Sequence, residues 1–308
     1  MIGRVLKAPA RNRIRQRDKM LFNTLGYLLV SLFGLACVLP FLLIVITSFT
    51  SESSLMRNGY TFFIKEFSTE AYGLAFRNPS RILWAYRNTV CVTIIGASMS
   101  VMLSSMTGYV LQRKDFQGRN GISLFFFFTT LFNGGLVPWY ILCTRYLGFK
   151  NNYIALLLPM MFSVWHMIIA KNFMRSIPYE ITESAKIDGA NDLRIFFQLI
   201  LPLCKPLVAT LGLFSALAYW NDWYNSMLFI TKEQKMSLQY FLQEMINSIQ
   251  ALKNLVSMGA DPGSVMISLP QETMKMAMTV ITTGPIILLY PFVQRYFVKG
   301  LTIGAVKG

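Results

Sequence analysis

Six stretches of about twenty mostly apolar residues dominate this chain, and about twenty is the length an α-helix needs to cross a bilayer. They fall at about 24–48, 88–111, 122–144, 153–172, 204–231 and 274–298. The chain is therefore read as all-α, a polytopic membrane protein of six transmembrane helices. Of its 308 residues 54% are hydrophobic and 14% charged, whereas soluble domains average about 25% charged. The apolar stretches leave no room for a separate soluble domain. The second stretch holds Gly96, Ala97, Ser98, Ser100, Ser104, Ser105 and Gly108, which lower its hydropathy but suit close helix contact in lipid.

Charge selects the orientation. Arg11, Arg13, Arg15, Arg17 and Lys19 precede the first stretch. That stretch is longer than a signal-peptide core and no small-residue cleavage site follows, so it reads as an uncleaved first span. An even number of spans places both termini on one side. With the N-terminus inside, short inner segments hold 18 of the 29 lysines and arginines, as the positive-inside rule requires. The formal charge of +15 then serves topology and anionic lipid, with no nucleic-acid partner. Cys37, Cys91, Cys143 and Cys204 show no Cys-x-x-Cys spacing and read as small buried hydrophobes, so no disulfide or metal site is expected. Between the inner segments, residues 49–87 read as an interfacial element at the outer surface carrying Arg81, Trp84 and Arg87. Residues 238–255 read as a short amphipathic helix, followed by a turn at Gly259–Gly263.

Between the fourth and fifth stretches, on the side made cytoplasmic by the charges, lies Glu183-Ser184-Ala185-Lys186-Ile187-Asp188-Gly189. Ten residues past the glycine comes Leu199-Ile200-Leu201-Pro202. Pro178 suits a helix's first turn, Glu180 and Glu183 suit its positive end, and Gly189 suits a left-handed stop. Asn191 or Asp192 can cap a second helix running toward Pro202. Ile181, Ala185 and Asp188 fall near one face, and the small Ala185 allows close approach of another surface. The bare physical reading leaves a helix pair on the inner membrane surface.

The same residues closely resemble the coupling loop of ABC-importer permeases (Glu-Ala-Ala, three residues, Gly, nine residues, Ile-x-Leu-Pro), with Ser184 and Leu199 as the two departures. The ending Phe297-Val298-Lys299-Gly300-Leu301-Thr302-Ile303-Gly304-Ala305-Val306-Lys307-Gly308 resembles that of sugar permeases of the MalG-like family. Asn133-Gly134-Gly135-Leu136-Val137-Pro138, Lys171–Pro178, Tyr219-Trp220-Asn221-Asp222-Trp223, Leu269-Pro270-Gln271-Glu272-Thr273 and Tyr290-Pro291-Phe292 narrow the resemblance to its LplC/YtcP-type oligosaccharide permeases. The resemblance runs from about residue 20 to the end.

It implies a type I ABC importer permease fold, with residues 1–20 a basic cytoplasmic N-terminus. Residues 21–298 form the permease domain, with its coupling loop at about 176–203, and residues 299–308 a cytoplasmic tail. It implies an oligosaccharide substrate and the cytoplasmic membrane of a bacterium. Implied partners are a second homologous permease chain in a heterodimer, two ATPase subunits and an extracellular solute-binding lipoprotein. Glu183, Ala185, Asp188, Gly189, Leu201 and Pro202 would engage the ATPase, and Lys299, Gly300, Gly304 and Lys307 would lie at its interface. The chain carries no Gly-x-x-x-x-Gly-Lys-Ser/Thr phosphate loop, so it is expected to be no enzyme, with no catalytic residues and no bound cofactor. ATP and Mg²⁺ would sit on the partner ATPase.

For the translocation path the candidates are Asn133, Trp220, Asn221, Asp222 and Trp223. Asp222 either faces a cavity or reaches outer-surface water. The tryptophans offer flat faces to sugar rings or anchor the helix end at the interface. Asn133 with Gly134 and Gly135 either opens backbone toward a pore or kinks the third helix for packing. His166 stands without companion ligands. An ATP-independent secondary carrier of a small polar solute is the alternative function; such carriers often show inverted repeats and charged midplane residues, and no repeat is visible.

Overall fold

The computed structural model describes residues 11–77, 79–258 and 272–287. Among them the regular structure is helical, apart from one antiparallel bridge between Thr50 and Phe67. They group into two compact units, residues 11–74 with 272–280 and residues 75–258 with 281–287.

In the first unit, α1 (Arg11–Ser48) contains an apolar segment, Asp18–Ser48, long enough to cross a membrane. It ends in a ring stack: Phe49 lies 4.9 Å from Tyr72 and 5.8 Å from Phe67. Ser51 caps α2 (Glu52–Asn58) by accepting the Ser54 N–H, as a short hydroxyl side chain can. α3 spans Glu70–Ala75. Glu52 accepts the backbone N–H groups of Glu272 (3.0 Å) and Thr273 (2.9 Å), placing a carboxylate at the positive end of the helix over residues 272–287.

The second unit is built on α4 (Pro79–Gln112), 34 residues that pack along both α8 and α12. Proline at the first helical position, where its missing N–H would be unpaired anyway, starts α4 nine residues before the expected span. Arg81, Trp84 and Arg87 are thus part of α4, and the local structure expected over 49–87 is confined to α2 and α3 ahead of it. Arg81 instead pairs with Glu233 at 3.0 Å. Two glycines set the helix contacts. A Cβ on Gly108 would lie 2.7 Å from the Ala170 Cβ and 2.8 Å from the Lys171 backbone nitrogen; one on Gly96 would enter the Tyr219 ring. The small residues of this stretch are thus the seam of the bundle.

The next stretch is two helices, α5 (Arg119–Leu131) and α6 (Leu136–Ile141, extended by a π-turn to Tyr146), bent by 110° at a break where Gly135 has φ +87°. The fourth is also broken. α7 (Ile154–Leu157) continues through a 3₁₀ turn to Met160, and α8 (Val164–Met174) restarts at 48° behind the N-cap Ser163. The loop helices α9 (Glu180–Ile187) and α10 (Asp192–Ile195) follow. A π-turn and the short α11 (Leu201–Leu203) lead to an 85° bend before α12 (Lys205–Trp220).

The fifth stretch stops earlier than expected. α12 ends at Trp220, and α13 (Tyr224–Phe229) starts after a turn in which Asp222 accepts the Asn225 N–H at 3.1 Å. α14 (Leu238–Ser257) is the expected amphipathic helix. Two helices among the described residues could cross a membrane unbroken, or five spans if each bent pair counts as one. The expected sixth span is helical to residue 287; its remainder, the turn at Gly259–Gly263, residues 1–10 and the tail with Lys299, Gly300, Gly304 and Lys307 lie outside the described residues. Cys143 and Cys204 are buried as expected, whereas Cys37 and Cys91 are exposed, as suits residues on lipid-facing stretches.

Candidate functional site

Glu180 and Glu183 occupy the first turn of α9, and Lys186 its last, the charge order a helix dipole favours. Pro178 lies just ahead of the helix rather than in its first turn. At the other end Gly189 takes φ +76°. Its N–H donates to the Lys186 carbonyl (3.0 Å) and the Ala190 N–H to the Ala185 carbonyl (2.9 Å), the paired bonds of a Schellman stop. Of the two candidate caps, Asn191 holds the next helix, its Oδ1 accepting the Arg194 N–H at 2.8 Å.

Ala185 points mainly inward. It is 8% exposed and joins a core with Tyr109, Met174, Ile195 and Phe196. It also floors a hollow of about 230 Å³ shared with Asp188, Arg194 and Gln198. Leu201 packs against the same core, while Glu183, Asp188, Gly189 and Pro202 are exposed. The outward apolar surface is Ile187, 82% exposed, with Leu193 beside it in sequence order on α10. Neither was singled out from the sequence, although an exposed isoleucine between Lys186 and Asp188 is the kind of side chain a partner surface would cover.

A charge network fastens this loop to α4. Arg113, the first residue past α4, donates from Nε and Nη2 to the two carboxylate oxygens of Asp115 (2.9 and 2.5 Å). Its Nη1 lies 2.5 Å from the Asp192 carboxylate at the start of α10. Lys186 Nζ, on α9, reaches Asp115 at 2.9 Å. The Arg113 side chain is only 12% exposed and its guanidinium lies over the Tyr109 ring. The hydrogen bonds from Arg113 hold the Asp115 carboxyl well below the usual carboxylate range, and the one that Lys186 donates to Asp115 pushes the Lys186 ammonium upward. Arg113 and Asp115 were not singled out from the sequence, and Asp192 and Lys186 were not seen as their partners, because nothing local pairs residue 113 with residue 192.

The path candidates do not converge. Asn133 is exposed and accepts the Gly135 N–H at 2.9 Å, shaping the break between α5 and α6. Trp220 is buried and donates from Nε1 to the Thr282 carbonyl at 3.2 Å. Asn221 is exposed and donates back to Leu217, and Trp223 lies edge-on to Tyr224. Asp222 takes both the N–H and the side-chain amide of Asn225. Its carboxylate is thus committed to starting α13 rather than standing free. His166 faces Ser215 at 3.4 Å, which in turn meets Ser100 at 3.2 Å, a buried polar contact between α8, α12 and α4.

The class of protein follows from this loop together with its relatives. Residues 100–303 match the family described as binding-protein-dependent transport system inner membrane component. The chain is 37% identical to the polygalacturonan/rhamnogalacturonan transport system permease protein YtcP of Bacillus subtilis (strain 168), over 94% of this chain and 99% of that one. It is 34% identical to the protein LplC of the same organism, over 93% and 95%. Its fold resembles a crystal structure of a bacterial ABC transporter involved in import of the acidic polysaccharide alginate, with TM-score 0.76, 27% identity and coverage of 95% and 100%. The chain therefore belongs to the binding-protein-dependent inner-membrane-component family, the permease subunits of ABC importers, and is a membrane protein. In such importers the ATPase is a separate chain.

Proposed function

We propose that the chain is one of two permease subunits of an importer that carries an oligosaccharide inward by alternating access, driven by ATP hydrolysed on a separate ATPase. The observation that supports this best is the loop itself: α9, stopped by left-handed Gly189, offers exposed Ile187 amid Glu183, Lys186 and Asp188. Glu183, Ala185, Asp188, Gly189, Leu201 and Pro202 form the loop that the ATPase moves. Glu183 and Asp188 flank the docking face, Ala185 packs beneath it, Gly189 sets the angle to α10, and Leu201 and Pro202 lead into α12. The chain itself performs no hydrolysis and holds no nucleotide; ATP and Mg²⁺ act on the partner. A second homologous permease, a pair of ATPases and an extracellular binding lipoprotein complete the assembly.

Both termini lie on the cytoplasmic side, as the distribution of lysine and arginine favours, and the tail with Lys299, Gly300, Gly304 and Lys307 reaches the ATPase interface. The substrate is an oligosaccharide, and uronate-bearing ones are favoured. Relatives named for polygalacturonan and for alginate, both acidic, support that class. Asn133, Trp220, Asn221, Asp222 and Trp223 contribute to the path chiefly by shaping its helix ends.

A cross-link tests the docking face. In a background with the exposed Cys37 and Cys91 replaced by alanine, Ile187→Cys should form a cross-link to an ATPase subunit in native membranes, and Glu70→Cys should not. Ile187→Cys that reacts only with lipid-phase reagents would contradict the docking role.

A further inference from the structure

α4 is held at both ends by ion pairs and hydrogen bonds to other segments of its unit. At one end is the Arg113 network, in which two cations and two carboxylates join the end of α4 to α9 through Lys186 and to α10 through Asp192. Beneath it Tyr109 of α4 meets the Phe196 ring with centroids 5.4 Å apart. At the other end the buried Asn88 amide donates to the carbonyls of Gln234 (2.7 Å) and Met236 (3.1 Å), while its oxygen accepts the Tyr153 hydroxyl at 3.0 Å. One residue on, Thr89 accepts the N–H of Leu238, the first residue of α14, at 2.8 Å. Between these ends Gly96 and Gly108 let the α12 ring of Tyr219 and the α8 backbone press directly on α4.

A helix of 34 residues extends about 50 Å, so α4 is long enough to run the full thickness of a membrane and its interfaces. It is unbroken, whereas the three following stretches each bend by 48° or more. We infer that α4 is the rod that carries movement of the coupling loop to the Gln234–Leu238 segment at the far side. In this account Arg113 is the positioning residue that makes α4 follow the loop. The inference rests on the coupling role proposed above. Arg113 suits the task because a planar guanidinium can bind one carboxylate with two nitrogens and a second with a third, and because its side chain is largely shielded from water, where screening by salt is weaker. Without it the loop keeps its covalent ends on α8 and α11, its apolar floor and the Lys186–Asp115 pair, but α10 loses its charged hold on the end of α4 and Asp115 loses the guanidinium that fixes it there.

The test uses the full complex of both permeases and ATPase, purified and reconstituted with its binding protein, comparing wild type with Arg113→Gln, Arg113→Lys, Asp115→Lys, Lys186→Asp and the swap Asp115→Lys with Lys186→Asp. Three readouts are taken: the amount of ATPase in the purified complex, the rate of ATP hydrolysis, and solute moved per ATP. Coupling between sites commonly amounts to factors of about 5–150. Arg113→Gln should therefore assemble and hydrolyse ATP but move about tenfold less solute per ATP. Arg113→Lys should fall between, and the swap should regain at least part of what each single change loses. Equal loss of assembly and of both activities in Arg113→Gln, with solute per ATP unchanged, would show a purely structural role and overturn the inference. So would full coupling in Arg113→Gln. Gly189→Pro in the same assay separates the two levels: if it too transports normally the coupling loop itself is misassigned, whereas its loss beside a normal Arg113→Gln sinks only the rod.

Discussion

Lys186 reaches Asp115 at 2.9 Å although 71 positions separate them in the chain. One residue lies on α9, the helix proposed to meet an ATPase, and the other just past α4, the longest helix of the second unit, so the pair ties the proposed coupling loop to the element proposed to carry its movement.

The Asp115 carboxyl titrates below its ordinary value because Arg113 donates to it. A carboxylate with a lowered folded value contributes stability that is present above its unfolded value, about 3.9, and is lost as pH falls through the folded one. The thermal stability gap between wild type and Asp115→Asn should accordingly be flat from about pH 5 to 8 and close only in strong acid. Melting of the detergent-solubilised protein across pH reads this directly; a gap that opens or closes near neutrality would contradict it.

Gly189 has open space around it but a backbone angle of +76°. Left-handed backbone costs an ordinary L-residue about 1–2 kcal/mol, with asparagine the best tolerated. Gly189→Asn should keep most ATP-driven uptake and Gly189→Ala should lower it. Gly189→Pro, which also removes the N–H given to Lys186, should abolish it. Uptake into proteoliposomes, normalised to bound ATPase, ranks the three.

Gly108 is different, because space rather than angle is what it lacks. Its missing Cβ lies where Ala170 and the Lys171 nitrogen already sit. Gly108→Val should push α4 off α8 and cost about 1–3 kcal/mol or more, whereas Gly134→Ala, with nothing within 4 Å, should melt as wild type does. Size-exclusion profiles and melting temperatures decide.

Asp222 was legible as the unusual acid near a span, and its chemistry was not. The amide of Asn225, three residues on, takes the carboxylate, so Asp222→Asn, which still caps, should transport at close to the wild-type rate. Asp222→Ala should lose about 1 kcal/mol of stability, the common worth of a cap. A large transport defect in Asp222→Asn with unchanged stability would return the charge to the path.

The pattern of what could be read is physical. Apolar runs and turn chemistry are local, so the stretches, the stop at Gly189, the break at Asn133-Gly134-Gly135 and the seam of small residues in α4 were visible in the sequence. Bends depend on how a segment is held from outside. The 48° break between Met160 and Val164 was invisible in a run that reads as one apolar block. The Arg113 network was hidden for the same reason: its members come from 113–115, 186 and 192, and only packing of Tyr109 against Phe196 sets their register. Ala185 shows the limit from the other side, since its small size was noticed but its inward direction was not.

We propose that this chain is the membrane half of an ATP-driven importer whose motor is another protein. Purifying the tagged chain in mild detergent from its native membrane, with mass spectrometry of what accompanies it, tests that most directly. An ATPase and a second related permease should co-purify. Recovery of the chain alone, still able to move a solute without ATP, would contradict the account and leave a secondary carrier in its place.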